Sequence, residues 1–249
     1  MKPRILIALC GLMGLGCSAG PSDTVIVVSA ASSLTYALQD LVDSYGELHP
    51  DAPTIQLNFG GTGALAQQIR QGAPVDLFIA ANVAELDSLQ SQGHVATHRF
   101  QFYGRLVMWC LDEAACPRSL PELAAPHIRR IAIAQPEVAP YGTAAISAFS
   151  AAGVLDALSP QLIQGQSARA ALRYAETGDA NVAMTALSLA QSVGGHWLPV
   201  DENLYAPIEQ GMSLVTSTKE PQAAQDFFDF VAGPTGLQIL RAHGFRTAP

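Results

Sequence analysis

A strand, a turn of small or hydroxyl-bearing residues and an amphipathic helix follow one another three times in the first part of the chain. This rhythm restricts the fold more than any other feature of the sequence. Thr24 to Ser29 (TVIVVS) is a run dominated by β-branched residues, the pattern of a strand buried on both faces of a parallel sheet. Ser32, Ser33 and Thr35 then precede an amphipathic segment, Tyr36 to Tyr45, whose apolar positions are Leu38, Leu41 and Val42. Thr54 to Phe59 (TIQLNF) alternates as a second strand, and Gly60-Gly61-Thr62-Gly63 opens a helix over Ala64 to Gln71. Asp76 to Ala80 (DLFIA) predicts a third buried strand, followed by a helix from about Val83 to Gln92 that Gly93 ends. Repeated units of this kind predict an open, mostly parallel sheet flanked by helices, the α/β class.

A second set begins at Arg105-Leu106-Val107-Met108-Trp109. It includes Arg130 to Ala134 (RIAIA), the loop Glu137 to Gly142, a helix from about Thr143 to Ala152, another from about Ala168 to Thr177, and a short strand over Asn181 to Met184. Leu204 to Thr216 returns toward the first sheet. Helices near Pro221 to Val231 and Thr235 to His243 close the chain, with Phe227, Phe228 and Phe230 spaced for packing. The chain thus divides into a leader, 1–20, a first lobe made of 23–104 plus 207–249, and a second lobe, 105–206, inserted within the first.

The leader has a cationic head (Lys2, Arg4), an apolar run from Ile5 to Leu15 and a small-residue exit, Gly16-Cys17-Ser18-Ala19-Gly20. The apolar run is too short for a membrane span of about 20 residues and reads as a secretory signal peptide, so the mature protein is expected to be periplasmic or otherwise extracytoplasmic. Gly16 before Cys17 resembles a bacterial lipobox, although Gly14 stands where Leu is preferred. Lipid attachment at Cys17 and ordinary cleavage after Ala19 or Gly20 both fit, so the protein is either lipid-anchored or soluble. In an oxidising compartment, Cys110 and Cys116 are most simply a disulfide, because their spacing is wrong for a redox-active Cys-x-x-Cys.

A formal net charge of −8 argues against nucleic acid, which recruits proteins through basic surfaces. Only 14% of residues are charged and 49% are hydrophobic, which argues against disorder. Ser32-Ser33 and Gly61-Thr62-Gly63 both place hydroxyls and small residues ahead of a helix. Free N–H groups and the helix dipole make such turns anion sites, and open α/β sheets bind ligands at these strand ends. Taken singly, each loop is also an ordinary N-cap. GGTGA lacks the P-loop and dinucleotide signatures, and no nucleophile elbow surrounds a serine. His94 and His98 sit in a polar connection and read as surface histidines, while Asp76, Glu85 and Asp87 read as structural or solvated carboxylates.

Ala30-Ala31-Ser32-Ser33-Leu34, Phe59-Gly60-Gly61-Thr62-Gly63, the stretch QIRQGAPVDLF from Gln68 to Phe78, Ala139-Pro140-Tyr141-Gly142 and Leu204 to Ile208 (LYAPI) together resemble the periplasmic molybdate-binding proteins of ABC importers, in order from about Thr24 to Phe245. The resemblance implies a two-lobed type II periplasmic binding protein with a mostly parallel sheet in each lobe and the ligand in the interlobe cleft. It implies molybdate or tungstate held without a cofactor or direct metal ligand by Ser32, Ser33 and Thr62 of one lobe and by Tyr141, in a Pro-Tyr-Gly turn, and Ala168 of the other. It further implies a membrane permease as partner and a monomer. Thr62 stands where Ser is usual, and Ala186 occupies a position where many members have a ligand Tyr; Tyr141 is expected to supply part of the missing polarity. Three alternatives are a receptor for another tetrahedral oxyanion such as sulfate, a secreted hydrolase or thiol oxidoreductase, and the effector domain of a transcription regulator. The signal peptide argues against the regulator, and the missing nucleophile–base pair against the enzyme.

Overall fold

The computed structural model describes residues 24–97 and 100–247, so the leader with Cys17, and His98, lie outside the described residues. The first strand, β1 (Val25–Ala31), is buried from Val28 onward and lies between β2 (Thr54–Gly60) and β3 (Leu77–Ala80), both parallel to it. Each of the three is followed by a helix: α1 (Thr35–Leu48, after a short 3-10 turn at Ser32–Leu34), α2 (Thr62–Arg70) and α3 (Val83–Ser91). Parallel strands with returning helices place all three helix starts along one edge of the sheet.

The chain then forms β4 (Phe100–Gly104) and passes through Arg105 directly into β5 (Leu106–Cys110) of a second sheet. That lobe continues with β6 (Ile131–Ala134), α4 (Pro140–Ala151), α5 (Leu155–Leu158), β7 (Leu162–Gly165), α6 (Ala168–Glu176), β8 (Val182–Ala186), α7 (Leu187–Ala190) and β9 (His196–Pro199). A turn at Glu202–Leu204 leads back into β10 (Ile208–Leu214), then α8 (Pro221–Ala232), α9 (Pro234–Ala242) and β11 (Arg246–Thr247). The sheet orders are β11-β4-β10-β3-β1-β2 and β7-β6-β8-β5-β9.

Both sheets are mixed. Strands β1 to β3 are parallel, as are β6 to β8, whereas β10, β4 and β11 in the first sheet and β5 and β9 in the second pair antiparallel. The reason is connectivity: β4 leaves its own sheet for the other lobe, and β10 arrives from it, so neither is joined to its neighbour by the helical crossover that a parallel pair needs.

The first lobe packs Leu38 and Leu41 of α1 against Phe227 and Phe228 of α8 and Leu240 of α9, while a separate layer under α2 and α3 holds Leu65, Ile69, Leu86 and Leu89. The second lobe has one core that includes Trp109, Phe149 and Leu172. Burying side chains of this kind contributes about 1.5–3 kcal/mol each, which is what keeps each lobe rigid around its end of the cleft. Asp76 accepts from the Val27 N–H at 2.7 Å and from Thr218 Oγ1, stitching the first sheet at the end away from the helix starts. Cys110 and Cys116 are disulfide-bonded, with Cα atoms 5.5 Å apart, and fasten the end of β5 to the loop after it. For so short a loop the chain-entropy estimate is about 2 kcal/mol. The Cys110→Ser/Cys116→Ser protein is therefore expected to melt about 4–8 °C lower with its ligand affinity unchanged, as read by calorimetry with and without ligand.

Candidate functional site

Four helix starts meet where the lobes face each other: the Ser32–Leu34 turn leading into α1, α2 from the same lobe, and α4 and α6 from the other. Between them is a small cavity lined by Ser32, Ser33, Thr62, Tyr141 and Ala168, together with glycines 60 and 61, Ala31, Ala81, Ala139 and Pro140. All five residues expected from the sequence are brought together there, and each is at most 5% exposed. The volume between them is about 10 Å³. That is about the room that one water molecule needs, far below the roughly 300–1,000 Å³ of a pocket for an organic ligand.

The hydroxyls are oriented by the backbone. Thr62 Oγ1 accepts from the Ala81 N–H at 3.0 Å, and Ser32 Oγ accepts from the Arg169 N–H of the opposite lobe at 3.3 Å. A hydroxyl has two lone pairs and a single proton, so a lone pair held this way leaves the proton free to point into the cavity. Ala168 is the first residue of α6 and Tyr141 the second of α4, and first-turn N–H groups have no carbonyl one turn back within their helix. They add two backbone donors and the positive ends of two helix dipoles.

Tyr141 is not in a turn, as its Pro-Tyr-Gly context predicts, but inside the first turn of α4. Pro140 at the first helical position has φ already set for a helix and lacks an N–H that would go unpaired there, so α4 begins three residues before Thr143. The glycine at 142 completes the arrangement, because a side chain there would run into the carbonyl of Ala134 at the end of β6. The helix after Gly61 also begins early, at Thr62, which makes Thr62 itself the first helical residue.

The lobes are in direct contact around the cavity. The Gly63 N–H donates to the carbonyl of Val138 at 3.0 Å, and Ser188 Oγ donates to the carbonyl of Ser33 at 2.6 Å. A Cβ on Gly61 would lie 2.8 Å from the Gln166 carbonyl oxygen and 3.2 Å from that of Val138. Among the described residues, no Lys, Arg, Asp or Glu lines the cavity. Arg169 turns its guanidinium along α6 to Glu176 at 2.5 Å, so its charge is spent on an ion pair outside the cavity lining. Tyr141 is buried, and this desolvation pushes its phenol well above the ordinary tyrosine range. Among the described residues no group of three or more His, Cys, Asp or Glu is placed to hold a metal.

Sequence reasoning did not select Gln210, Ser188 or Thr185. Gln210, fully buried on β10, donates through Nε2 to Tyr141 Oη at 3.1 Å, and Thr185 Oγ1 donates to the carbonyl of Ala168 at 3.1 Å. Ala186, the position of the expected family tyrosine, is fully buried in the second lobe's core and does not line the cavity. The aromatic residue that does line it is Tyr141.

Hydroxyl groups and helix starts from two lobes around one small pocket describe a site for a solute. The sequence agrees: residues 26–246 match the family profile described as bacterial extracellular solute-binding protein. This chain belongs to that family. Among its relatives the solute-binding protein is 31% identical over 244 residues to the molybdate-binding protein ModA of Rhodobacter capsulatus, covering 96% of this chain and 94% of that one. It is 29% identical over 248 residues to the molybdate-binding protein ModA of Azotobacter vinelandii, covering 97% and 96%. The solved structure of the Azotobacter vinelandii periplasmic molybdate-binding protein superposes with a TM-score of 0.84 at 26% identity, covering 90% of this chain and 100% of that one.

Proposed function

We propose that this solute-binding protein captures molybdate or tungstate outside the cytoplasm and delivers it to the permease of an ABC importer. The observation that carries the reading is the commitment of the Ser32 and Thr62 hydroxyls as donors by backbone N–H groups, in a cavity without a charged side chain. Such a cavity suits a fully deprotonated dianion, each of whose oxygens accepts. It disfavours phosphate near neutral pH, because the phosphate proton would face donors and find no acceptor. Sulfate is smaller, and in a closed cleft of fixed donors it leaves some of them unsatisfied.

The ligand stabilises the closed form by its difference in affinity between closed and open lobes. The relatives named for molybdate support the same class of ligand. The protein acts as a monomer that binds without turnover, with the metal held only inside its oxyanion, and the leader exports it, with Cys17 as the residue available for a lipid anchor. Isothermal titration of the ligand-stripped protein with molybdate, tungstate, sulfate and phosphate tests this. Tight one-to-one binding of the first two alone is expected, and equal binding of sulfate would replace the molybdate reading with that of a sulfate receptor.

The raised phenol of Tyr141 gives the pH dependence its sign. An ordinary tyrosine begins to lose its proton as pH approaches about 10, which would put a negative charge beside the bound dianion. Here burial keeps the neutral form beyond that pH. Molybdate affinity is expected to stay level from about pH 7 to about pH 10.5 in the same titration, a range in which an ordinary tyrosine passes its midpoint, and a decline that follows such a midpoint would show that the phenol ionises.

A further inference from the structure

On the hinge side of the cleft three residues from three elements meet. Gln210 of β10 reaches Tyr141 Oη through Nε2 at 3.1 Å, and its Oε1 lies 3.5 Å from Ser33 Oγ, which donates to it. Gly104, the last residue of β4, stands directly beside them. A Cβ built there would overlap the Tyr141 hydroxyl and come within 2.6 Å of Gln210 Nε2. Gly104 and Gln210 belong to the first sheet, on the two strands by which the chain leaves and re-enters that lobe, whereas Tyr141 belongs to the other lobe.

We infer that Gly104, Gln210 and Tyr141 form a closure latch in which Gln210 is a positioning residue, tying the hinge strand to a donor of one lobe and an anion-facing helix of the other. This rests on the oxyanion reading for its ligand but on the lobe contact for its geometry.

Two features of the geometry make the latch. The first concerns the hydrogen-bond direction. Gln210 donates to the Tyr141 oxygen through one end of its amide and accepts from the Ser33 hydroxyl at the other, so a single side chain fixes both groups. Two cavity hydroxyls, those of Ser32 and Thr62, are thus held by backbone N–H groups, and the third, that of Ser33, is held by the latch. The second is steric. The latch lies next to the crossing at Arg105, so a misfit there acts close to the hinge and is amplified at the far end of the lobes. Within its own sheet a Cβ at 104 meets only the end of the flexible Gln210 side chain, so the larger obstruction is the contact with Tyr141 of the other lobe.

The test combines affinity with lobe closure, using molybdate as the probe. Gly104→Ala is expected to bind molybdate about tenfold more weakly, because the binding-competent closed state becomes a smaller fraction of the population. Small-angle scattering of that variant at saturating molybdate should show a larger radius of gyration than the wild type. Gln210→Leu, which keeps the bulk and removes the amide, is expected to lose about tenfold in affinity by leaving the Tyr141 hydroxyl without its donor. The decisive comparison is Gly104→Ala combined with Tyr141→Phe, which removes the oxygen that the added methyl group strikes. The double variant should bind no more weakly than Tyr141→Phe alone and should recover the wild-type radius. Additive losses in the double variant, or a Gly104→Ala protein that closes and binds like the wild type, overturn the latch. A wild type that binds neither molybdate nor tungstate overturns the functional reading instead, and the radii of wild type and Gly104→Ala, compared in whichever anion closes the wild type, then decide the latch alone.

Discussion

Gly61→Thr is expected to leave the protein folded and to weaken molybdate binding by about a hundredfold or more. Gly61 has φ −70° and ψ 138°, extended backbone that any residue adopts, and as the N-cap of α2 it is replaced by threonine at little cost. Nothing in the first lobe resists the substitution. The obstruction comes from the other lobe, where the added Cβ would face the backbone carbonyls of Gln166 and Val138 at 2.8 and 3.2 Å. Backbone atoms cannot swing aside as a flexible side chain does, so the closed form is disfavoured while the open form is untouched. Calorimetric melting without ligand should match the wild type, and titration should show the loss. A Gly61→Thr protein that binds normally would mean that the lobes capture solute without closing this far.

Thr62→Val is expected to combine both kinds of damage. The side chains are nearly isosteric, yet the valine has no oxygen to accept from the Ala81 N–H and no proton to give the anion. A buried N–H left without a partner costs about 1–3 kcal/mol, which lowers the melting temperature of the unliganded protein by roughly 3–10 °C. Loss of a donor to a charged ligand costs about 1.5–3 kcal/mol, or roughly tenfold to a hundredfold in affinity. Thr62→Ser should restore both, since the hydroxyl alone performs both tasks. If the serine variant binds as poorly as the valine variant, the hydroxyl alone does not suffice and the methyl group is required with it.

The β1, β2 and β3 units and their helix starts were legible because everything that defines them is local: β-branched runs, glycine and serine at the turns, and apolar spacing in the helices. The same locality made Ser32, Ser33 and Thr62 readable as donors, while Tyr141 and Ala168 came from resemblance. Local reading misplaced the start of α4, since Pro140-Tyr141-Gly142 spells a turn by composition and becomes a helix start because β6 leaves room only for glycine at 142. It also passed over β4 and β10 as partners, although FQFYG alternates, because their pairing is fixed by the return of the chain from the other lobe. Gln210 was invisible for the same reason. Its contacts lie 69 and 177 residues away, and a lone glutamine in a strand carries no pattern of its own. Gly61 was read as part of an anion-site turn, and it both lines the cavity and faces the backbone carbonyls of the other lobe, a contact that no local pattern announces.

The order of strands in the first sheet also governs how this protein can be made. The strand β10 is inserted between β3 and β4, although all of the second lobe separates it from them in the chain. A chain crossing a membrane from its N-terminus therefore completes the second lobe while β3 and β4 still present unpaired edges, the kind of edge on which other chains assemble. The bond from the Ser213 hydroxyl to the Ala96 carbonyl and that from the Val215 N–H to the Asp76 carbonyl can form only afterwards. Maturation of the first lobe is thus the late, long-range step, and the trap gains its second jaw only once the segment beyond Pro207 has arrived.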